Sequence, residues 1–113
     1  MVDVSLDEAS SPGEPIVVCV ILQTPEWELH VYATPEELVV LRSIRDADWD
    51  ERRSLHIGKC LGVPVHWSVV PATEGVATIL IGPDDETWEI AITVPITTVD
   101  TIVAEVAARS WAN

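Results

Sequence analysis

Three aspartates at alternate positions, Asp46, Asp48 and Asp50, have the spacing that opens an oxygen-ligand loop for calcium. Such a loop needs Gly at its sixth position and a bidentate Glu at its twelfth, where this chain has Glu51 and Ile57. The segment therefore reads as a solvated acidic loop. His56, Cys60 and His66 offer nitrogen and sulfur donors, but their spacing matches no zinc finger or ribbon. Ordinary surface or half-buried histidines are the alternative. A nucleophilic Cys60 would need a neighbouring His and an orienting carboxylate, and any chain with two Cys and three His offers that much. The run Ser54-Leu55-His56-Ile57-Gly58-Lys59 ends in Gly-Lys but lacks the upstream Gly of a phosphate loop. There is no nucleophile elbow and no dinucleotide fingerprint. The residue types thus point to no catalytic group, no cofactor and no metal centre.

The charge is more informative. Nineteen acidic side chains face six basic ones, for a formal net charge of -13. A surface of that sign repels phosphates, so direct nucleic-acid binding is disfavoured. A basic protein would be attracted and steered inward; an acidic surface kept only for solubility is the bland alternative. No run of about 20 apolar residues exists to span a membrane. Met1 to Pro15 carries Asp3, Asp7, Glu8 and Glu14 with no base, the opposite of a secretory signal, and the expected location is the cytoplasm.

The elements that must carry these side chains follow from periodicity. Residues 1–15 read as a flexible arm, broken by Ser10-Ser11-Pro12-Gly13-Glu14-Pro15, and residues 16–113 as one α+β domain. Ile16 to Leu22 is a continuous apolar run suited to a strand buried on both faces, with Cys19 as a small core residue. Trp27, Leu29 and Val31 alternate with Glu28, His30 and Tyr32, which predicts a second strand paired to the first. Thr34-Pro35-Glu36-Glu37 is a capping box that starts a helix running to about Ile44 or Arg45. Short strands are expected at Ser54–Ile57, Val65–Val69, Val76–Ile81 and Thr87–Val94, with a turn across Gly58 to Gly62. Val99, Ile102, Val103, Val106 and Ala107 have the spacing of a helix covering a sheet, capped by Thr97 or Thr98 and running to about Ser110. The order is ββαββββα: a mostly antiparallel sheet of about five or six strands with two helices on one face. Val40, Leu41, Ile44, Ile102, Val103 and Val106 are the expected helix-side core.

Helices on one face leave the other face open. Glu28, His30 and Tyr32 should line it on one strand, His66 and Ser68 on another, Glu89 and Thr93 on a third. With Asp46, Asp48, Asp50, Asp84 and Asp85 they form the expected partner-binding set. Affinity in such surfaces comes from a few aromatics. Trp49 sits in the charged loop and Trp111 near the end, so both are expected to be exposed, and Trp49 is the expected anchor. Trp27, Trp67 and Trp88 follow strand alternation and are expected in the core.

The stretch from Trp27 through Thr34-Pro35-Glu36-Glu37-Leu38, a strand leading into a capped helix, resembles small immunity proteins of bacterial polymorphic toxin systems. The likeness covers the first half of the chain, with the second half similar in outline. It implies a cytoplasmic inhibitor that plugs or masks the active site of a cognate toxin, and an acidic inhibitor suits a basic nuclease. Two rivals remain. A DNA mimic would align Glu28, Glu36, Asp46, Asp48, Asp50, Asp84 and Asp85 as a row of carboxylates. A small enzyme or ligand-binding domain would gather His30, Tyr32, His66 and Trp67 around a closed pocket.

Overall fold

A computed structural model describes residues 1–111. The last two residues of the expected 16–113 domain lie outside that range. Seven strands form one antiparallel sheet whose spatial order is the chain order. They are β1 (Asp3–Glu8), β2 (Val18–Gln23), β3 (Glu28–Ala33), β4 (Leu55–Cys60), β5 (Val63–Ser68), β6 (Val76–Ile81) and β7 (Ile90–Pro95). Between β3 and β4 the chain forms α1 (Pro35–Val39), which continues as a 3-10 helix, Val40–Asp46. The C-terminal helix is α2 (Ile96–Ala107). The fold is α+β, as the periodicity implies, with more strands than expected.

The additional strand is β1, within the segment read as a flexible arm. It pairs along its full length with β2, and Leu6 is buried. Val2, Val4 and Leu6 alternate with Asp3, Ser5 and Asp7, so the period-2 signal was present beneath the charge. The carboxylates have a second use there. β1 is an edge strand, and edge charges discourage pairing with another chain.

The capping box forms at α1. The Glu37 amide donates to Thr34 Oγ1 at 3.1 Å, and the Thr34 amide donates to Glu37 Oε1 at 3.0 Å. After Val39 the helix tightens to three residues per turn. Leu38, Leu41, Ile44 and Ala47 then fall on one line, each at most 1% exposed. Val40 lies off that line and is exposed, so it is not the core residue expected from an α-helical period. α2 begins at Ile96, earlier than expected, with Pro95 in the cap position and neither Thr97 nor Thr98 capping it. Proline ends the β7 ladder because it cannot donate, and the chain turns directly into the helix. Val99, Ile102 and Val106 of α2 close the core; Val103 is half-buried and Ala107 exposed.

The core lies between the helices and one sheet face. Val20, Leu22, Leu29 and Val31 supply it on one side of the sheet, Val65, Trp67, Ala77, Ile79 and Val94 on the other. Trp67 is fully buried as expected, and its indole N–H donates to the Ile57 carbonyl at 2.9 Å. Cys19 is buried, but on the opposite face, beneath the cross-strand neighbour Tyr32. Burial raises its thiol pKa, which keeps it protonated.

β4 does not stop at Ile57. It runs to Cys60, and a two-residue turn at Leu61-Gly62 leads into β5. Both turn residues have positive φ, 52° and 78°, as a type I′ hairpin requires. Leu61 is 96% exposed, so it holds this conformation without packing in return. Leu61→Asn places a residue suited to positive φ there, and should raise stability by about 1 kcal/mol. The check is a urea transition whose midpoint rises at constant m-value; an unchanged or lower midpoint would sink the turn assignment.

Candidate functional site

The helices cover one face of the sheet; the other, bare of helices, is open along β3, but on β5 and β6 His66, Ser68 and Leu80 are buried, so the expected exposure of His66 and Ser68 does not hold. Register decides which residues appear there. Ile21 stands opposite His30, Cys19 opposite Tyr32, His56 opposite His66, His66 opposite Leu80, and Ser68 opposite Thr78. Glu28, His30 and Tyr32 therefore share the bare face, as their alternation predicts. Glu28 Oε2 and His30 Nε2 are hydrogen-bonded there at 2.5 Å, and Tyr32 is 41% exposed. Lys59 stands opposite Tyr32.

A bulge at Gly58 keeps the two halves of the sheet in phase. Between His56 and Lys59 the β4–β5 register shifts, and Gly58 takes φ 83°. With the extra residue absorbed, His56 and Lys59 both face outward, while Ile57 enters the core and Cys60 packs against it. The three possible zinc donors are thus divided. The rings of His56 and His66 lie 5.0 Å apart on the bare face, and Cys60 sits behind it. Among the described residues no group of three or more His, Cys, Asp or Glu is placed to hold a metal ion. The pocket set of the ligand-binding rival is divided in the same way, with Trp67 on the core side, His30 and Tyr32 on the opposite face, and His66 buried on that face with Nε2 3.2 Å from the Gly82 carbonyl oxygen.

The acidic loops behave differently. Asp48 and Val69 form an isolated bridge that carries the Asp48–Arg53 loop along the end of β5. From there the Trp49 indole N–H donates to the Asp85 carbonyl at 2.8 Å. Ser54 Oγ donates to Asp85 Oδ2 at 2.7 Å, and Arg52 pairs with Glu86. The second loop is braced internally: Asp84 Oδ1 accepts the amides of Glu86 and Thr87 at 2.8 and 2.7 Å. Those amide bonds, that of Glu86 foremost, hold its carboxyl below the usual range. Two acidic segments more than 30 residues apart in sequence become one ridge, with Trp49, Asp50, Arg52, Asp85 and Glu86 around a depression of about 130 Å³. Asp46 and Asp48 do not join them. Asp46 ends the 3-10 helix, and Asp48 lines a separate groove with Arg45 and Glu74.

The tryptophans differ most from expectation. Trp49 is half-buried and fastened to Asp85, so it is a brace between loops and not a freely exposed anchor. Trp88 is 41% exposed, not core. β7 begins only at Ile90, and the turn braced by Asp84 breaks the alternation that would have carried Trp88 inward. Trp111 is half-buried, donating to the Val106 carbonyl at 3.1 Å. Trp27 packs partly against the core.

Few carboxylates are neutralised. Among the described residues Glu86 and Asp100 are paired with arginines, the latter through a bidentate contact with Arg45 at 2.7 and 2.8 Å, and Glu28 is hydrogen-bonded to His30. Arg109 is committed to the Leu6 carbonyl. Most of the 19 acidic side chains are thus unopposed in the described residues. Asp48 lines a groove separate from the depression lined by Asp50 and Asp85, so the carboxylates of a DNA mimic do not form one row. No helix of the described residues is long and apolar enough to cross a membrane. Comparison with known proteins returned no matching family model, no matching curated protein and no matching solved structure.

Proposed function

We propose that this protein binds a basic protein partner through the bare face of its sheet, masking that partner as an inhibitor of the immunity-protein kind would. The observation that carries the reading is the joined acidic ridge. The Trp49–Asp85 bond draws two acidic loops together beside the helix-free sheet face, where Arg52 opposes Glu86 and leaves Asp50, Glu51 and Asp84 without an ion-pair partner among the described residues. Carboxylates held close together focus a negative potential, which speeds encounter with a positive surface and excludes acidic competitors. The Glu28, His30 and Tyr32 row, two strands away on the same face, would widen the footprint. The reading includes no catalytic residue, metal or cofactor.

The test uses residues with no structural duty. Asp50 and Glu51 are exposed, and neither side chain braces the fold. A basic partner captured at low salt from the source cell should associate about tenfold more slowly with Asp50→Lys/Glu51→Lys, and the difference should fade as salt shortens the screening length. Stopped-flow association rates across a salt series measure this. Slowing that persists unchanged at high salt, or no basic protein captured at all, would reject the reading.

A further inference from the structure

At the β5–β7 end of the bare face a cleft of about 220 Å³ opens between two indoles. Ser68 of β5, Leu80 of β6 and Ala91 of β7 form its floor, with Val70 beside them. Trp49 enters from the loop beside β5, and Trp88 from the segment leading into β7. The lining is apolar except for two hydroxyl residues, Ser68 and Thr78, which stand opposite each other on β5 and β6. Ser68 is 1% exposed, and its hydroxyl has no hydrogen-bond partner among the described residues. Folded proteins rarely leave a buried hydroxyl unanswered, because its desolvation goes uncompensated. Here the orphan atom belongs to the floor of an open cleft.

Size and charge narrow the occupant. The volume exceeds the roughly 150 Å³ of a cavity that takes one benzene. It falls below the roughly 300–1,000 Å³ of small-molecule pockets. That is room for one side chain. Asp50, Asp85 and Glu86 line the neighbouring depression together with Arg52, which pairs with Glu86; that depression shares Trp49, and the exposed Glu89 follows Trp88. A neutral hydrocarbon ring would leave unanswered the Ser68 hydroxyl and the carboxylates of Asp50 and Glu89, which are unpaired among the described residues. An ammonium is strongly hydrated and would lose that hydration against an apolar lining. A guanidinium is planar and weakly hydrated, lies well against an indole face, and carries N–H groups to spare.

We propose that the cleft receives one arginine side chain of the basic partner. Its stem lies along Leu80 and Ala91, its guanidinium lies against the Trp49 and Trp88 rings, and one N–H donates to Ser68 Oγ. This rests on the basic-partner reading and names the contact that would give it affinity. The probe is N-acetyl-arginine methylamide, compared with its lysine counterpart, followed by the indole N–H resonances of ¹⁵N-labelled protein. Saturable shifts are expected at Trp49 and Trp88 and not at Trp27, Trp67 or Trp111, with the lysine compound at least about tenfold weaker. Ser68→Ala removes only the orphan hydroxyl and should melt no lower than the parent, yet weaken the arginine compound about tenfold. Trp88→Ala, at a position 41% exposed, should weaken a captured partner about thirtyfold. Equal response to arginine and lysine, or an unmoved Trp88 resonance, overturns the proposal. A basic partner that binds Trp88→Ala and Ser68→Ala as well as the parent also overturns it, while leaving the acidic-ridge reading intact. Saturation by the arginine compound with no basic partner captured does the reverse.

Discussion

Ile102→Asp should lose about 3–5 kcal/mol, because it leaves an uncompensated charge inside the core. Ile102 is fully buried on α2, within the cluster that includes Leu38, Leu41 and Ile44. Domains of this size keep only about 5–15 kcal/mol in total, so the variant will be close to unfolded at ambient temperature. The matched control is Ala104→Asp, two residues along the same helix but exposed, which should move stability by no more than about 0.5 kcal/mol. Thermal melts followed by circular dichroism compare the two. Equal melting of both variants would mean that α2 does not present this face to the sheet.

A second large effect is expected from a single methyl group. The Cβ added by Gly58→Ala would lie 2.7 Å from Val31 Cγ1 and 2.9 Å from the Tyr32 carbonyl oxygen. One of those neighbours is backbone and cannot step aside. The residue also keeps φ at 83°, which side chains resist. Overpacking and backbone strain together should cost about 2–5 kcal/mol. Adding Val31→Ala removes the side-chain clash but not the strain, so the double variant should be more stable than the two separate losses imply. A double-mutant cycle in urea measures that coupling. Additive losses would show that the close approach to Val31 is not the cause.

What could be read from the sequence, and what could not, divides along physical lines. Elements announced by local chemistry were legible. The Thr34–Glu37 capping box, the Val76–Ile81 strand and the buried face of α2 need only neighbouring residues to specify them. The shared face of Glu28, His30 and Tyr32 was legible for the same reason, since alternation in a strand leaves a side chain only two directions. β1 was hidden by its own charges, which resemble those of an unstructured tail until a partner strand is known. Val40 was misplaced because nothing local signals the change from an α to a 3-10 turn. Trp49 and Trp88 were exchanged in role for a long-range reason. The bond from Trp49 to Asp85 spans 36 residues, and the turn that expels Trp88 depends on the Asp84 side chain. The cleft between them, and the stranded Ser68 hydroxyl, exist only once β5, β6 and β7 are side by side.

The meander also bears on how the protein comes apart. Every strand pairs with its neighbour in the chain, so contacts are short-range for a β-rich fold, which favours quick folding at the expense of long-range locking. One seam is thinner than the rest. β3 and β4 are joined in register at a single pair, Tyr32 with Lys59, whereas β1–β2, β2–β3 and β6–β7 each hold six. Two cooperative units follow, β1–β3 and β4–β7, bound to each other chiefly through the helices that span them. The acidic ridge and the two-tryptophan cleft are formed by the second unit and by the Asp48–Arg53 loop that leads into it. Partial opening along the seam would therefore release the first three strands while leaving the binding surface assembled.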